Sequence, residues 1–395
     1  MSDVQLAERP ARSAAPEGRA FRFDEARFRV HLADLRARRD EFRDQRHVSD
    51  DVVREWRDLG LYAAFVPQEL GGNGMNAVDF LERIERISAA DGSAGWVASF
   101  AFATKYLSSL PEATLRGIYA DRADVVFAGA VFPPQPAEVV DGGVRVSGRW
   151  KFGSGCMGAD LIGVGISIPS GSKSGLPIMA VMPAEQVRID PTWDTVGMTG
   201  TGSHDLVVED VFVPDEWLMV RGAPASIDGP GYRYPSLAMA AQVLAVCGLG
   251  VAREALDHVV AIADRSKSIT GAPTLGDRAN VQIHLAEAEA KLQSARSWFY
   301  DRTHEAWSCA ERGEDVPREL NMQLRLASSH AARTGADVAR ACFEMTGTMG
   351  IFNANPLSRY LTDAMVTAQH AFLTEGSFMN AGKVMVGHDP IPGFG

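Results

Sequence analysis

The sequence predicts an α+β fold in three consecutive parts: an N-terminal helical domain (24–124), a central β domain (125–220) and a C-terminal four-helix bundle (221–395). Three observations predict it. Apolar residues recur at three- and four-residue steps in the first part, and short β-branched runs between turn signals fill the second. Long stretches rich in Ala, Leu, Arg and Glu make up the third. Residues 1–23 are rich in Ala, Pro, Arg and Ser and lack the apolar core of a signal peptide, so they read as a disordered arm.

In the helical domain, Phe28, Leu32 and Leu35 share one helix face, and Val78, Leu81, Ile84 and Ile87 share another. The glycine-rich segment Pro67-Gln-Glu-Leu-Gly-Gly-Asn-Gly74 is a loop between them. Helix resumes from Trp96 to Leu110, and Pro111 opens the next. Strands are expected at 125–127, 144–146, 161–166, 177–181 and 206–208, with turns at Asp141-Gly-Gly143 and Pro169-Ser-Gly171. Four long helices follow, at about 237–266, 276–312, 319–345 and 356–383, the last with a break near Gly376. Such a bundle carries more apolar surface than one chain covers, which predicts self-association.

A net charge of −11 and a pI near 5.4 argue against nucleic acid as the main partner, because phosphates call for a basic footprint. No run approaches the ~18 apolar residues of a membrane span. The four cysteines, Cys156, Cys247, Cys309 and Cys342, are too scattered for a disulfide framework or a zinc site, which points to the cytoplasm. The nine histidines form no ligand-spaced cluster, so no metal is expected.

Five segments carry a family resemblance, in order along the chain. They are Pro67–Gly74; Asp91-Gly-Ser-Ala-Gly-Trp96; Ser147-Gly-Arg-Trp-Lys-Phe-Gly-Ser-Gly155; Gly197-Met-Thr-Gly-Thr-Gly-Ser-His-Asp205 followed by Val211-Phe-Val-Pro214; and Asn355-Pro-Leu-Ser-Arg-Tyr-Leu-Thr-Asp363 with His370 beyond it. Together they resemble the acyl-CoA dehydrogenase superfamily. Aligned without gaps from Pro356 and Asp363, the dehydrogenases' catalytic carboxylate falls on Ala371, with His370 just before it. The histidine, together with Trp150–Gly155, is similar to the flavin-dependent monooxygenases that share the fold.

That resemblance implies an oxygenase component that binds FADH2 or FMNH2, captures O2 as a C4a-hydroperoxide and hydroxylates a small aromatic, heteroaromatic or amine (amino-sugar) substrate. It implies catalytic roles for His370 and Ser154. His370 would act as base or proton donor, since an imidazole ordinarily titrates near neutrality. Phe152, Ser154 and Gly155 would meet the flavin ring, Thr201 and Ser203 the flavin or its phosphate, Arg265 the diphosphate, and Gln282, Thr348 and Gly350 the adenine end if the flavin is FAD. The substrate pocket would be drawn from Phe102, Tyr106, Phe132, Phe372 and Glu375. No G-x-G-x-x-G follows a strand, so the electrons would come from a separate NAD(P)H:flavin reductase. A homotetramer or homodimer is expected.

Two positions depart from the family pattern. Thr199 stands where many relatives carry arginine, and Phe102–Tyr106 holds no second histidine, which turns attention from phenols to an amine, an amino sugar or an indole carbon. Glu375-Gly-Ser377 imitates the segment that begins with the dehydrogenase base, one helical turn past the gapless position. An acyl-CoA dehydrogenase using Glu375 is therefore one alternative, and a non-catalytic flavin-binding protein is the other.

Overall fold

The computed structural model describes residues 22–172, 175–265, 271, 273–391 and 394. The expected arm lies outside them for residues 1–21. Seven helices come first: α1 (Glu25–Ala37), α2 (Arg39–Gln45), α3 (Asp50–Asp58), α4 (Ala77–Ala90), α5 (Gly92–Ser99), α6 (Thr104–Leu107) and α7 (Glu112–Ile118). Short polar side chains start several of them. Asp24 accepts the Arg27 N–H, Asn76 the Asp79 N–H and Asp91 the Ala94 N–H, each satisfying an amide that the first helical turn leaves open.

The strands are β1 (Phe127–Val140), β2 (Gly143–Trp150), β3 (Leu161–Ser167), β4 (Ile178–Pro183), β5 (Arg188–Asp190), β6 (Asp205–Pro214) and β7 (Leu218–Val220), in the order β5-β6-β2-β1-β3-β4-β7. Among the described residues only the β1–β3 pair is parallel. The first half of β1 lies along β3 and its second half along β2, with an irregularity between Ala130 and Gln135. Trp150, fully buried at the end of β2, donates its indole N–H to Gly165 O at 2.8 Å. Truncating so large a buried ring costs about 3–5 kcal/mol. Its anchorage fixes where the Lys151–Gly155 turn leaves the sheet.

The C-terminal part holds α8 (Pro230–Arg233), α9 (Ser236–Ile262), α10 (Ala279–Glu311), α11 (Arg318–Met345), α12 (Leu357–Ala368) and α13 (Glu375–Met385). By length and apolarity α9 could cross a membrane, contrary to the sequence expectation, but 83% of its most apolar window is buried inside the protein. It is the central helix of the bundle, packed on α4, α11 and α12. Small residues permit that closeness: a Cβ on Gly335 of α11 would stand 2.6 Å from Gly248 O of α9.

The break in the last helix falls just before Gly376, as expected. Helix α12 ends at Ala368 and α13 begins at Glu375. Side chains stabilise the turn between them: His370 Nδ1 accepts the Phe372 N–H at 3.2 Å, and Ser377 Oγ donates to Phe372 O at 2.6 Å. Its stability comes from these bonds, without a glycine or proline in the turn itself.

Candidate active site

Three distant stretches of chain meet at Trp96, on α5. Its indole N–H donates to Ser154 Oγ at 3.1 Å, and its ring centroid lies 5.8 Å from that of His370. Ser154 Oγ is 2.7 Å from Ser203 Oγ, which is 2.9 Å from Thr201 Oγ1. All three hydroxyl residues are buried. When Thr201 donates to Ser203 and Ser203 to Ser154, the Ser154 oxygen accepts twice and its own proton is left to point out of the cluster.

The turn carrying Ser154 is clamped to the start of β6 by the Gly153 N–H, which donates to His204 O at 3.0 Å. Next to it, Phe152 adopts φ +65° and leaves its ring 65% exposed, touching Trp193 edge-on at 6.2 Å. A bulky residue in the left-handed region and a bare aromatic face are both costly, and such costs collect at ligand sites. Gly155 follows at φ +79°. A flat ring laid on Phe152 with its polar edge toward Ser154 answers both features, so these residues fit a flavin.

His370 closes the other side. Burial, with the charge of Arg221 adding to it, lowers its pKa to about 4, well below the near-neutral value expected from sequence. The imidazole is therefore neutral at physiological pH. Because Nδ1 accepts from Phe372, the proton sits on Nε2.

Beside it lies an apolar cavity of about 260 Å³, lined among others by Phe132, Leu237, Phe372, Met379 and the two arginines Arg221 and Arg325. Phe132 is 59% exposed, and Phe372 packs edge-on against His370 at 5.4 Å. Tyr106 is buried and reaches the cavity indirectly, through its bond from Arg221. Phe102 is buried behind Tyr106, at 5.1 Å between ring centroids. Glu375, proposed for the pocket, does not lie in it: its side chain is 93% exposed and faces Arg333 at 3.9 Å, because it heads α13 on the solvent side while Gly376 and Ser377 turn inward.

The remaining expected flavin contacts stand apart from this cluster. Arg265 is exposed just past α9, and the rest of its segment, Ser266–Ser268, lies outside the described residues. Gln282 bonds to Gly276 O at 2.8 Å, Thr348 is exposed and Gly350 is buried. No hydrogen bond joins any of these four to the Ser154 cluster among the described residues. Sequence reasoning gave no role to Arg221 or Arg325, and Trp96 entered only as part of a motif.

A second cavity, about 420 Å³, opens at Thr199, where the family arginine is missing. Asp363 lies against it and accepts the Met198 N–H at 2.5 Å. Burial, countered by that bond and reinforced by the nearby Asp91 charge, raises the Asp363 carboxyl to about 7. Gly197 makes the contact possible, since a Cβ there would stand 2.4 Å from Thr362 O.

Family models agree with this architecture: the acyl-CoA dehydrogenase N-terminal domain matches residues 24–110 and the C-terminal domain residues 242–375. An indole-3-acetate monooxygenase from Pseudomonas putida is 51% identical, over 91% of this chain and 92% of its own length. The chain belongs to the flavin-dependent monooxygenases of the acyl-CoA dehydrogenase superfamily. The oxygenase subunit HsaA from Rhodococcus jostii, also a flavin-dependent monooxygenase, is 28% identical over 86% of this chain and 92% of its own. The crystal structure of the 3-HSA hydroxylase from Rhodococcus sp. RHA1 superposes with a TM-score of 0.85, at 27% identity, over 94% of this chain and 98% of that one. As an oxygenase component of this family, the protein uses reduced flavin and O2, and a separate flavin reductase supplies the reduced flavin.

Proposed function

We propose that the protein oxygenates an aromatic ring of indole type held in the cavity beside His370. The observation that carries this reading is the meeting of Ser154, Trp96 and His370 next to Phe372, which lines a small apolar pocket. The names of the similar proteins support the indole class, since relatives 51% and 48% identical are both indole-3-acetate monooxygenases.

Reduced flavin supplies two electrons and the position at which O2 is engaged. One oxygen atom enters a ring C–H bond to give C–OH, and the other leaves as water after taking up two protons. In this reading Phe152 covers one face of the flavin ring. Ser154, oriented by Trp96 and Ser203, donates its proton to the ring's polar edge and keeps that edge from exchanging with water. His370 is neutral and donates from Nε2, so it serves as hydrogen-bond donor to the oxygen that departs rather than as a strong base.

Arg265, Gln282, Thr348 and Gly350 hold the phosphate and adenine end across a border between subunits of a homotetramer in the cytoplasm. Exposed Met349, Ile351 and Phe352 next to Thr348 support such a border, because a bare apolar patch gains by being covered. The direct test mixes the protein with chemically reduced FMN or FAD, ¹⁸O2 and indole-3-acetate. Product carrying one ¹⁸O atom is expected. Reoxidation that yields only hydrogen peroxide argues against the reading, and bleaching of bound oxidised FAD by an acyl thioester restores the dehydrogenase.

A further inference from the structure

Arg221 is a cation in an apolar cavity with no acidic partner among the described residues. It leaves edge strand β7, where its backbone N–H is fixed to Pro177 O at 3.0 Å. One guanidinium nitrogen, Nη2, donates to Tyr106 Oη at 2.9 Å, and Nε is buried without a hydrogen-bond partner. Its plane lies against two rings, 4.7 Å from the centre of Tyr106 and 5.1 Å from that of Phe372.

Arg325, 3% exposed on α11, approaches the same Phe372 ring at 5.1 Å. Two guanidiniums thus share one phenyl ring on the wall of a small cavity that is otherwise mostly hydrocarbon. Taking a guanidinium out of water costs several kcal/mol unless an anion and further hydrogen bonds compensate it. Holding two of them on one ring adds repulsion. The same ring packs on His370 at 5.4 Å, so a single side chain links the cationic end of the cavity to the imidazole.

We propose that Arg221 is a carboxylate clamp that selects aromatic substrates bearing a short acidic side chain and sets their ring beside His370. The inference rests on the indole-type reading above and adds the residue that tells an acid from its neutral counterparts. A carboxylate gives the planar fork a two-point contact and offsets the repulsion between the arginines. Tyr106 is the positioning residue: its hydroxyl holds Nη2 and turns the rest of the fork into the cavity.

The test compares indole-3-acetate with indole-3-acetamide, which has the same shape and no charge. Binding is read by equilibrium dialysis and turnover by the reductase-coupled assay, in the wild type, Arg221→Gln and Arg221→Lys. The wild type is expected to prefer the acid. Arg221→Gln weakens acid binding by about 100-fold, changes amide binding less than about 3-fold and acts through KM more than kcat, whereas Arg221→Lys recovers part of the preference. An acid-to-amide ratio that is the same in Arg221→Gln and wild type overturns the clamp while leaving the oxygenase reading intact. Arg221-dependent preference for the acid in dialysis, with no oxygenated indole product, upholds the clamp and removes the indole-oxygenation reading. Equal loss of both ligands in both variants also counts against the clamp, since a folding defect does not distinguish charge.

Discussion

The cavities at Thr199 and at Arg221 differ in what their walls still need. In the larger one, at Thr199, each arginine on the wall has an acidic partner, although Arg359 Nη1 is buried without a hydrogen bond. Arg39 donates to Ala89 O, Tyr360 Oη and Glu254, Arg359 pairs with Asp40 at 2.7 Å, and Asp91 and Asp363 accept backbone N–H groups. In the smaller one, Arg221 has a tyrosine hydroxyl and two ring faces but no acid among the described residues. A cation without an acid, rather than volume, distinguishes a place built to receive a ligand from a gap closed by its own side chains.

That contrast can be broken at several points. The largest effect is expected at the smaller cavity. His370→Ala should lower product formation by about 100-fold or more while oxygen consumption continues as hydrogen peroxide. Unchanged product yield per O2 consumed would remove His370 from the chemistry. Ser154→Ala should be milder, about 10-fold in product yield, because one neutral hydrogen bond of ~0.5–1.5 kcal/mol is lost. Trp96→Phe should shift the same ratio in the same direction by less. A Ser154→Ala enzyme as well coupled as wild type would dismiss the hydroxyl cluster.

At the larger cavity the expected change is in stability rather than turnover. The Asp363 carboxyl is raised to about 7 in the folded protein, against an unfolded value near 3.8. The folded state therefore holds a proton that the unfolded state has lost between those values. Stability from this group falls as pH rises from about 4 to 7 and is flat beyond. Asp363→Asn should stabilise the protein at pH 8 by an amount on the order of a few kcal/mol, read as a higher melting temperature, and leave it nearly unchanged at pH 4. A difference that does not depend on pH would refute the assignment. The smallest effect is expected at Glu375, which faces solvent: Glu375→Gln should alter activity by less than about 2-fold. A large loss there would bring the dehydrogenase reading back.

Much of the architecture was legible because it rests on periodicity. The runs at 144–146, 161–166, 177–181 and 206–208 fall within or across strands β2, β3, β4 and β6, and three long helices lie within a few residues of their expected bounds. Strands β5 and β7, three residues each, carry too little pattern to be seen, and their pairing is decided by neighbours across the sheet. The break was legible near Gly376, but not that it opens as early as Gln369, because the bonds that stabilise it come from His370 and Ser377 side chains, which propensity does not record. The flavin-side turn was readable through Trp150–Gly155. Arg221 was not, since a lone arginine between Val220 and Gly222 gains meaning only from Tyr106, 115 residues earlier in the chain.

The indole of Trp96 touches one residue that lies 58 positions away and another that lies in the last turn before α13. Catalytic competence in this protein is thus a late product of folding, since loop closure over such spans comes at an entropic cost before any reward. A fragment ending before His370 can build most of the sheet and bundle yet lacks one wall of the reaction chamber. Recovery of coupled turnover should therefore trail recovery of helical signal when the unfolded chain is allowed to renature.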